Sequence, residues 1–151
     1  MNRRTLVVAS LTGVLSAFAT GASAQTAREY IDPSSAGEAN ARPFSGAVKV
    51  GNTLYLSGTL GLDANQQVPA TVEAEARNVL NNVRATLEAA GMTMDDLVSV
   101  QVFCSDVAFY DAFNAVYRTY FTNEFPARAF LGSGTLLFGA RFEVQSIAVQ
   151  R

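Results

Sequence analysis

Two stretches with helical periodicity, set between stretches of strand-like character, most restrict the folds open to this chain. In the first, TVEAEARNVLNNVRATLEAAG, apolar residues recur every three or four positions and polar residues occupy the opposite side. This spacing predicts an amphipathic helix with one buried face. Thr71 is suited to the N-cap and Gly91 to the left-handed residue that ends the helix, while Glu73 and Glu75 lie near the positive end of its dipole. The apolar stripe consists of Val72, Ala76, Val79, Leu80, Val83, Leu87 and Ala90.

A second helix is predicted to begin after Asp106, a residue suited to capping it, and to end by Asn123. Its apolar stripe is aromatic, and we interpret it as core packing against a sheet rather than as a cofactor site. The stripe consists of Phe109, Phe113, Val116, Tyr117, Tyr120 and Phe121. The other segments alternate or are rich in β-branched residues, as strands are. They are AVKV and TLYLSG around a turn at Gly51-Asn52, then VSVQVFC, ARAFLG and RFEVQSIAVQR.

The predicted order of elements is therefore β-β-α-β-α-β-β. This order indicates an α+β fold in which two helices cover one face of a single sheet. Strand segments such as VSVQVF and SIAV are apolar on both sides. The face without helices therefore needs cover, and we expect association with further copies of the chain to supply it.

The first 24 residues have the pattern of a secretory signal peptide. A basic start at Arg3 and Arg4 precedes an apolar run over residues 6–19, and small residues follow up to Ala24. Polar residues interrupt the run, which is also shorter than the ~20 residues that a membrane span needs. We therefore predict cleavage after residue 24, export to the periplasm or the medium by the Sec or the Tat route, and no stable membrane insertion afterwards.

The next residues, 25–41, are small and polar, QTAREYIDPSSAGEANA. Such a composition predicts a flexible leader, because it offers little apolar surface to bury. The folded domain is expected over residues 42–151.

Composition removes many familiar catalytic devices. The 151 residues include no histidine and one cysteine, Cys104, which excludes histidine-based triads, His-ligated metal centres and disulfides built within the chain. The formal net charge of −2 offers no footprint for nucleic acid, so no nucleic-acid partner is expected. Cys104 has no adjacent cation and is predicted to be buried and inert. Asp95 and Asp96 are predicted to form a solvated turn rather than a magnesium site.

Two charged residues stand out within apolar strand segments. Arg128 lies in FPARAF without a neighbouring acid, and Glu143 lies in RFEVQSIAV between Phe142 and Val144. A carboxylate in such a place needs either a solvated face or a buried partner. The residue pattern alone leaves two interpretations open for each, a functional group or an ordinary surface residue.

Several segments between residues 42 and 151 form a recognisable combination. They are Pro43-Phe44-Ser45 before the AVKVGNTLYLSG hairpin, the helix end LEAAG, VSVQVFCSDVAFYDAFNAVYRTYF, FPARAF and FEVQSIAV. The most specific part is Pro126-Ala127-Arg128, followed by Gly132 or Gly134 and then by Glu143 between apolar residues. In these segments the chain resembles the RidA/YjgF family of enamine and imine deaminases.

The resemblance implies a chorismate-mutase-like fold with one mixed sheet, assembled as a homotrimer around a central barrel with a cleft at each subunit interface. It implies hydrolysis of small 2-enamine or 2-imino acids to 2-oxoacids and ammonia, with no metal or organic cofactor. By resemblance, Arg128 holds the substrate carboxylate, to which a guanidinium can offer two parallel donors. Glu143 acts on the water that hydrolyses the C=N bond. Gly58, Asn114 and Phe130 would line the cleft.

The chain departs from the family pattern around this cleft. Phe44 stands where tyrosine is common, so its ring can wall the pocket but cannot donate a hydrogen bond. Ala129 replaces a frequent serine, Phe130 is large, and Thr59 follows Ser57-Gly58 where the family has glutamine. The pocket is therefore expected to be unusually apolar. The export signal also keeps an alternative open, a non-catalytic periplasmic trimer that binds small carboxylates or acts as a holdase.

Overall fold

The computed structural model describes residues 27–32 and 43–151, which contain six strands and two α-helices. The strands are β1 (Arg28–Ile31), β2 (Ala47–Val50), β3 (Thr53–Leu60), β4 (Leu97–Cys104), β5 (Ala127–Gly132) and β6 (Phe142–Val149), and the helices are α1 (Val72–Ala89) and α2 (Tyr110–Tyr117). One 3₁₀ turn flanks α2 on each side, at Val107–Phe109 and at Arg118–Tyr120. The predicted signal peptide, residues 1–24, lies outside the described residues. None of the described helices is both long and apolar enough to cross a membrane.

The strands form one mixed sheet in the order β1-β2-β3-β6-β4-β5. All neighbouring strands are antiparallel except β4 and β5, which are parallel. A parallel pair needs a long crossover, and the segment containing α2 supplies it. The predicted α+β class, the mixed sheet and the order of elements from β2 onward are confirmed. The turn between β2 and β3 lies at Gly51-Asn52 as predicted, and Gly51 takes a positive φ of 62°.

Strand β1 corrects the prediction of a flexible leader over residues 25–41. Residues 28–31 pair with β2 in an antiparallel register, Arg28 opposite Val50 and Ile31 opposite Ala47, and Ile31 is buried. The composition of this short polar segment does not predict a strand. The segment becomes one because its backbone forms hydrogen bonds with the exposed edge of β2. Residues 25, 26 and 33–41 of the predicted leader lie outside the described residues.

Both helices pack on the same face of the sheet, as predicted. The buried residues of α1 include Ala76, Val79, Leu80, Val83 and Leu87, and those of α2 are Phe113, Val116 and Tyr117. The predicted caps of α1 are present, whereas Asp106 caps the 3₁₀ turn that leads into α2 rather than α2 itself. Thr71 Oγ1 accepts a hydrogen bond from Ala74 N at 3.1 Å, Asp106 Oδ1 accepts one from Ala108 N at 2.9 Å, and Gly91 has a φ of 72°.

The other face of the sheet, here called the helix-free face, carries an apolar row across four strands. Tyr30, Val48, Tyr55 and Ile147 are successive cross-strand partners in β1, β2, β3 and β6. Tyr30 and Tyr55 are at least half exposed. An isolated chain would leave this apolar surface in water, which agrees with the expectation that further copies cover it.

Glu75 has a role beyond the favourable position near the helix start that its sequence predicts. Its side chain is fully buried between the first turn of α1 and the sheet. Glu75 Oε1 accepts hydrogen bonds from the backbone N–H groups of Arg141 and Phe142, at 2.6 and 3.1 Å, and Oε2 accepts one from Arg141 Nη1 at 2.7 Å. Arg141 Nη1 also donates to Pro69 O at 2.9 Å. The carboxylate therefore joins α1 to the first residues of β6.

We expect Glu75→Gln to lower the free energy of unfolding by about 2 kcal/mol, because the amide turns a donor toward the Arg141 guanidinium and loses the charge that three donors share. Urea unfolding at one fixed protein concentration measures the loss. Glu73→Gln is the matched control, because Glu73 is exposed in the same helical turn and its substitution should change stability by less than about 0.5 kcal/mol. Equal stability of the two variants would contradict the anchoring role.

Candidate active site

Arg128 lies in β5 with its side chain directed toward α2. Its Nη2 donates a hydrogen bond to Asn114 Oδ1 at 2.7 Å, and its Cζ lies 4.5 Å from the centre of the Tyr117 ring. The rings of Tyr110 and Phe130 lie within 6 Å of the same carbon, at 5.9 and 5.8 Å. The guanidinium is therefore held by one neutral hydrogen bond and by cation–π contacts. Among the described residues it forms no ion pair.

A small cavity of about 200 Å³ adjoins this guanidinium. It is lined by Asn114, Tyr117, Arg118, Phe125, Pro126 and Arg128. Arg128 Nη1 is buried and has no hydrogen-bond partner among the described residues. Burial of a donor without a partner is costly, so this nitrogen is poised to bind an acceptor that enters the cavity.

Glu143 lies in β6, between Leu60 of β3 and Phe103 of β4. Its carboxylate rests against Gly58, where any Cβ would collide with Glu143 Oε1. The hydroxyl of the adjacent Ser57 donates to Ser45 O at 2.7 Å, which holds the segment containing Phe44 beside β3. Phe44, Gly58 and Glu143 consequently line one cleft.

The two charged residues lie on opposite faces of the sheet. Phe142 packs on Phe113 of α2, with ring centres 4.8 Å apart, so the helix side of β6 carries Phe142. Successive side chains of a strand project to opposite faces, which puts Glu143 on the helix-free side. Arg128 contacts Asn114 and Tyr117 of α2 and therefore lies on the helix side. A single chain thus holds two half-sites that do not converge on one small ligand.

Comparison with known proteins identifies the family to which this chain belongs. Residues 35–150 match the family Ribonuc_L-PSP, described as endoribonuclease L-PSP. The chain belongs to this family. A relative from Capra hircus named 2-iminobutanoate/2-iminopropanoate deaminase is 42% identical over 110 residues, which are 72% of this chain and 80% of the relative. A relative of the same name from Dermatophagoides farinae is 39% identical over 109 residues, 71% of this chain and 85% of the relative.

Solved structures agree with the family assignment. The yjgF gene product from E. coli is similar with a TM-score of 0.69 and 36% identity, covering 72% of this chain and 89% of that chain. E. coli TdcF with bound serine is similar with a TM-score of 0.70 and 28% identity, covering 73% of this chain and 90% of that chain. The resemblance to the RidA/YjgF family and its fold is therefore confirmed.

Within this Ribonuc_L-PSP chain, the residues predicted for the site divide between the two half-sites. Asn114, Arg128 and Phe130 lie together beside α2, and Phe44, Gly58 and Glu143 line the separate cleft, which also reaches residues of α1. The ring of Phe130 also packs against Tyr110 and Phe113, with ring centres 5.0 and 5.6 Å apart. The roles of these residues in binding and catalysis stay predictions.

Three residues of the candidate site were not singled out from the sequence. Tyr117 was assigned to core packing, which is correct but omits its contact with Arg128. Leu137 and Phe138 line the cleft of Glu143 and are 68% and 75% exposed. Phe138 has φ 60° and ψ 12°, a left-handed conformation that is costly for a large side chain. In the sequence, the nearby glycines Gly134 and Gly139 are the signal that could have indicated an unusual turn around Phe138.

Cys104 and the pair Asp95 and Asp96 have structural environments. Cys104 is buried as predicted, its Sγ donates to Asp106 O at 2.9 Å, and burial raises the pKa of its thiol. Asp95 is more than a solvated turn residue, because it accepts hydrogen bonds from the Thr122 hydroxyl, from Thr122 N at 3.1 Å and from Asn123 Nδ2 at 3.0 Å. The Thr122 hydroxyl is the main cause of the lowered pKa of Asp95. No group of acidic or cysteine residues in the described ranges is placed to hold a metal ion.

Proposed function

We propose that this protein hydrolyses 2-imino acids, and the enamines in equilibrium with them, to 2-oxoacids and ammonia. The observation that carries the proposal is the pair of half-sites, an arginine with an unused buried donor and a carboxylate held against a glycine. Curated relatives with 36–42% identity bear the name 2-iminobutanoate/2-iminopropanoate deaminase. TdcF, whose structure holds serine, supports a carboxylate-bearing ligand.

The two side chains supply what this reaction requires. Arg128 binds the substrate carboxylate and so fixes the orientation of the neighbouring C2 atom. Glu143 accepts a proton from water while the water oxygen bonds to C2 of the protonated imine and the C=N π electrons move to nitrogen, which gives a neutral carbinolamine. Glu143 then returns that proton to nitrogen. The C–N bond breaks with its electron pair leaving on ammonia, while the hydroxyl oxygen forms the C=O bond and its proton passes through Glu143 to solvent, which replaces the proton that the imine had taken up. Substrate and one water are thereby converted to 2-oxoacid and ammonia.

We propose further that the protein acts as a homotrimer with its sites between subunits. Arg128 and Glu143 lie on opposite faces within one chain, so a complete site requires Glu143 from one copy and Arg128 from another. The apolar row Tyr30, Val48, Tyr55 and Ile147 provides the surface that association would bury. A head-to-tail interface that closes into a ring forms one such site at every contact.

The substrate side chain is proposed to be apolar. Phe44, Leu137 and Phe138 line the cleft of Glu143, and all three are more than half exposed. Imino acids with aliphatic side chains would bury part of this surface. RNA is a poorer fit despite the family description, because the chain has a net charge of −2 and no histidine to serve as acid or base.

We expect Arg128→Lys to lower kcat/KM by about ten-fold or more, because the charge survives but the planar fork and its stacking on Tyr117 are lost. Glu143→Gln should lower kcat by roughly a hundred-fold or more, because the amide cannot accept the proton of water. The measurement is 2-oxoacid release from imines that an L-amino-acid oxidase generates in situ from alanine, 2-aminobutanoate and leucine. The spontaneous hydrolysis rate is the baseline.

The matched controls for these variants are Arg84→Lys and Glu88→Gln, two exposed residues of α1 that pair with each other. They should retain wild-type rates. Wild-type protein that accelerates hydrolysis of no imine, although correctly assembled, would favour the non-catalytic carboxylate-binding module. Loss of assembly in the Arg128 or Glu143 variants would instead assign those residues a structural role.

Mixed assemblies test whether the site is shared. Arg128→Lys and Glu143→Gln chains are each expected to have little activity, whereas mixed trimers of the two should recover about one third of the wild-type rate, because one of the three interfaces in each mixed trimer joins two intact residues. Activity is measured on assemblies that carry two different affinity tags. If both residues of a site came from one chain, every mixture would stay inactive.

Export through the predicted signal peptide is also part of the proposal. Expression of the full chain in a bacterium with an outer membrane should place the protein in the periplasmic fraction. Its measured mass should be that of a chain that begins at Gln25. A charge in the apolar run, Leu11→Arg, should retain an uncleaved chain in the cytoplasm. Arg3→Lys with Arg4→Lys should block export only if the Tat route is used. An uncleaved cytoplasmic wild-type chain would contradict the assignment.

A further inference from the structure

The hydroxyl of Tyr117 is not accounted for by the packing of the core. Tyr117 lies at the end of α2 and is only 4% exposed. Its ring packs against Phe113, Phe121 and Phe125, with ring centres 5.8, 4.7 and 6.2 Å away. Among the described residues, nothing accepts from or donates to its buried hydroxyl. A phenylalanine would make the same ring contacts without burying an unpaired polar group.

A second buried donor without a partner among the described residues belongs to Arg128, and both residues line the small cavity beside the Arg128 guanidinium. This donor is the Nη1 nitrogen. The guanidinium lies over the Tyr117 ring at 4.5 Å, while Asn114 occupies its other terminal nitrogen, Nη2. Native structures tolerate two unpaired buried donors on residues of one cavity wall mainly where a ligand or a water supplies the acceptor.

Both groups are donors at neutral pH. Burial raises the pKa of Tyr117 to about 12, although the nearby Arg128 charge partly opposes this rise. The phenol therefore stays protonated, and the guanidinium stays charged. A group with two acceptor oxygens and a negative charge fits the pair, and a carboxylate has these properties.

We propose that the Tyr117 hydroxyl is a second hydrogen-bond donor to the carboxylate of the ligand, beside Arg128 Nη1. This inference rests on the proposed function, because it concerns the anchor of the same substrate. The Tyr117 ring positions the guanidinium, and its hydroxyl binds the ligand. Both donors are buried, and the half-exposed ring of Phe125 forms part of the wall of the cavity that Tyr117 and Arg128 line.

The test is Tyr117→Phe in the full assembled protein, with Tyr120→Phe as the matched control. Tyr120 lies one turn further along the chain, but its hydroxyl donates to Asn81 Oδ1 at 2.9 Å and lies 3.1 Å from Arg77 O. Binding of 2-oxobutanoate and of its neutral amide, 2-oxobutanamide, is measured by calorimetry. KM, kcat and Tm are measured on the same preparations.

Tyr117→Phe should weaken binding of 2-oxobutanoate by about ten-fold or more and raise KM in proportion, with kcat nearly unchanged, because a hydrogen bond to a charged group is lost. The amide should be affected much less. Tm should be unchanged or higher, since an unpaired hydroxyl has been removed. Tyr120→Phe should instead lower Tm and leave binding unchanged.

Unchanged affinity of Tyr117→Phe for 2-oxobutanoate would overturn the inference, and so would equal weakening for the acid and the amide. A lower Tm with unchanged affinity would assign the hydroxyl a structural role. Failure of the proposed function is distinguishable from these outcomes. Wild-type protein that binds 2-oxobutanoate without hydrolysing imines would reject deamination and still measure the contribution of Tyr117. Wild-type protein that binds neither compound would reject both proposals.

Discussion

The buried carboxylate of Glu75 fixes the relation between the helix layer and the sheet. It gathers two backbone N–H groups and the guanidinium of Arg141 at the point where β6 begins. On its other side, Gly61 packs so closely that a Cβ there would meet Glu75 O and Cγ. The end of β3 and the start of β6 are thereby held in one arrangement. Gly58 and Glu143 lie within three residues of these two points, so the placement of the candidate carboxylate depends on this anchor.

The alternation of side chains along β6 determines which face of the sheet carries Glu143. Phe142 enters the core against α2, so the next residue, Glu143, must lie on the helix-free face. The crossover between β4 and β5 brings Arg128 beneath α2, on the opposite face. In the proposed trimer, association of the subunits therefore has two effects. Association covers the apolar row that water would otherwise contact, and it brings an arginine of one subunit toward a carboxylate of another.

The elements that were predicted correctly are those whose signal is local. Periodicity and strand composition revealed α1, α2 and β2–β6. In α1, β4 and β6 one side is buried along most of the element, whereas β5 contains no buried residue and was recognised by its composition. Strand β1 escaped prediction because only Ile31 is buried and its other stabilisation comes from the edge of β2. Glu75 was interpreted from its position in the helix, since nothing in the sequence reveals that Arg141, 66 residues later, is its partner. Arg128 and Glu143 could be nominated from motif resemblance, but their placement on opposite faces required the register of the strands.

The surroundings of Arg128 explain why its charge is available to a ligand. Aromatic rings and one amide stabilise the guanidinium without neutralising it, and Arg118 adds a second positive charge to the same cavity wall. A carboxylate partner within the chain would have satisfied the charge and closed the site to anions. Lysine could keep the charge but could not lie flat on Tyr117 while it donates to Asn114. The cavity, about 200 Å³, is small for a drug-sized ligand and suits a short carboxylate. The aromatic stripe of α2 therefore combines two functions, since the side that packs the core also holds a positive charge free for an anion.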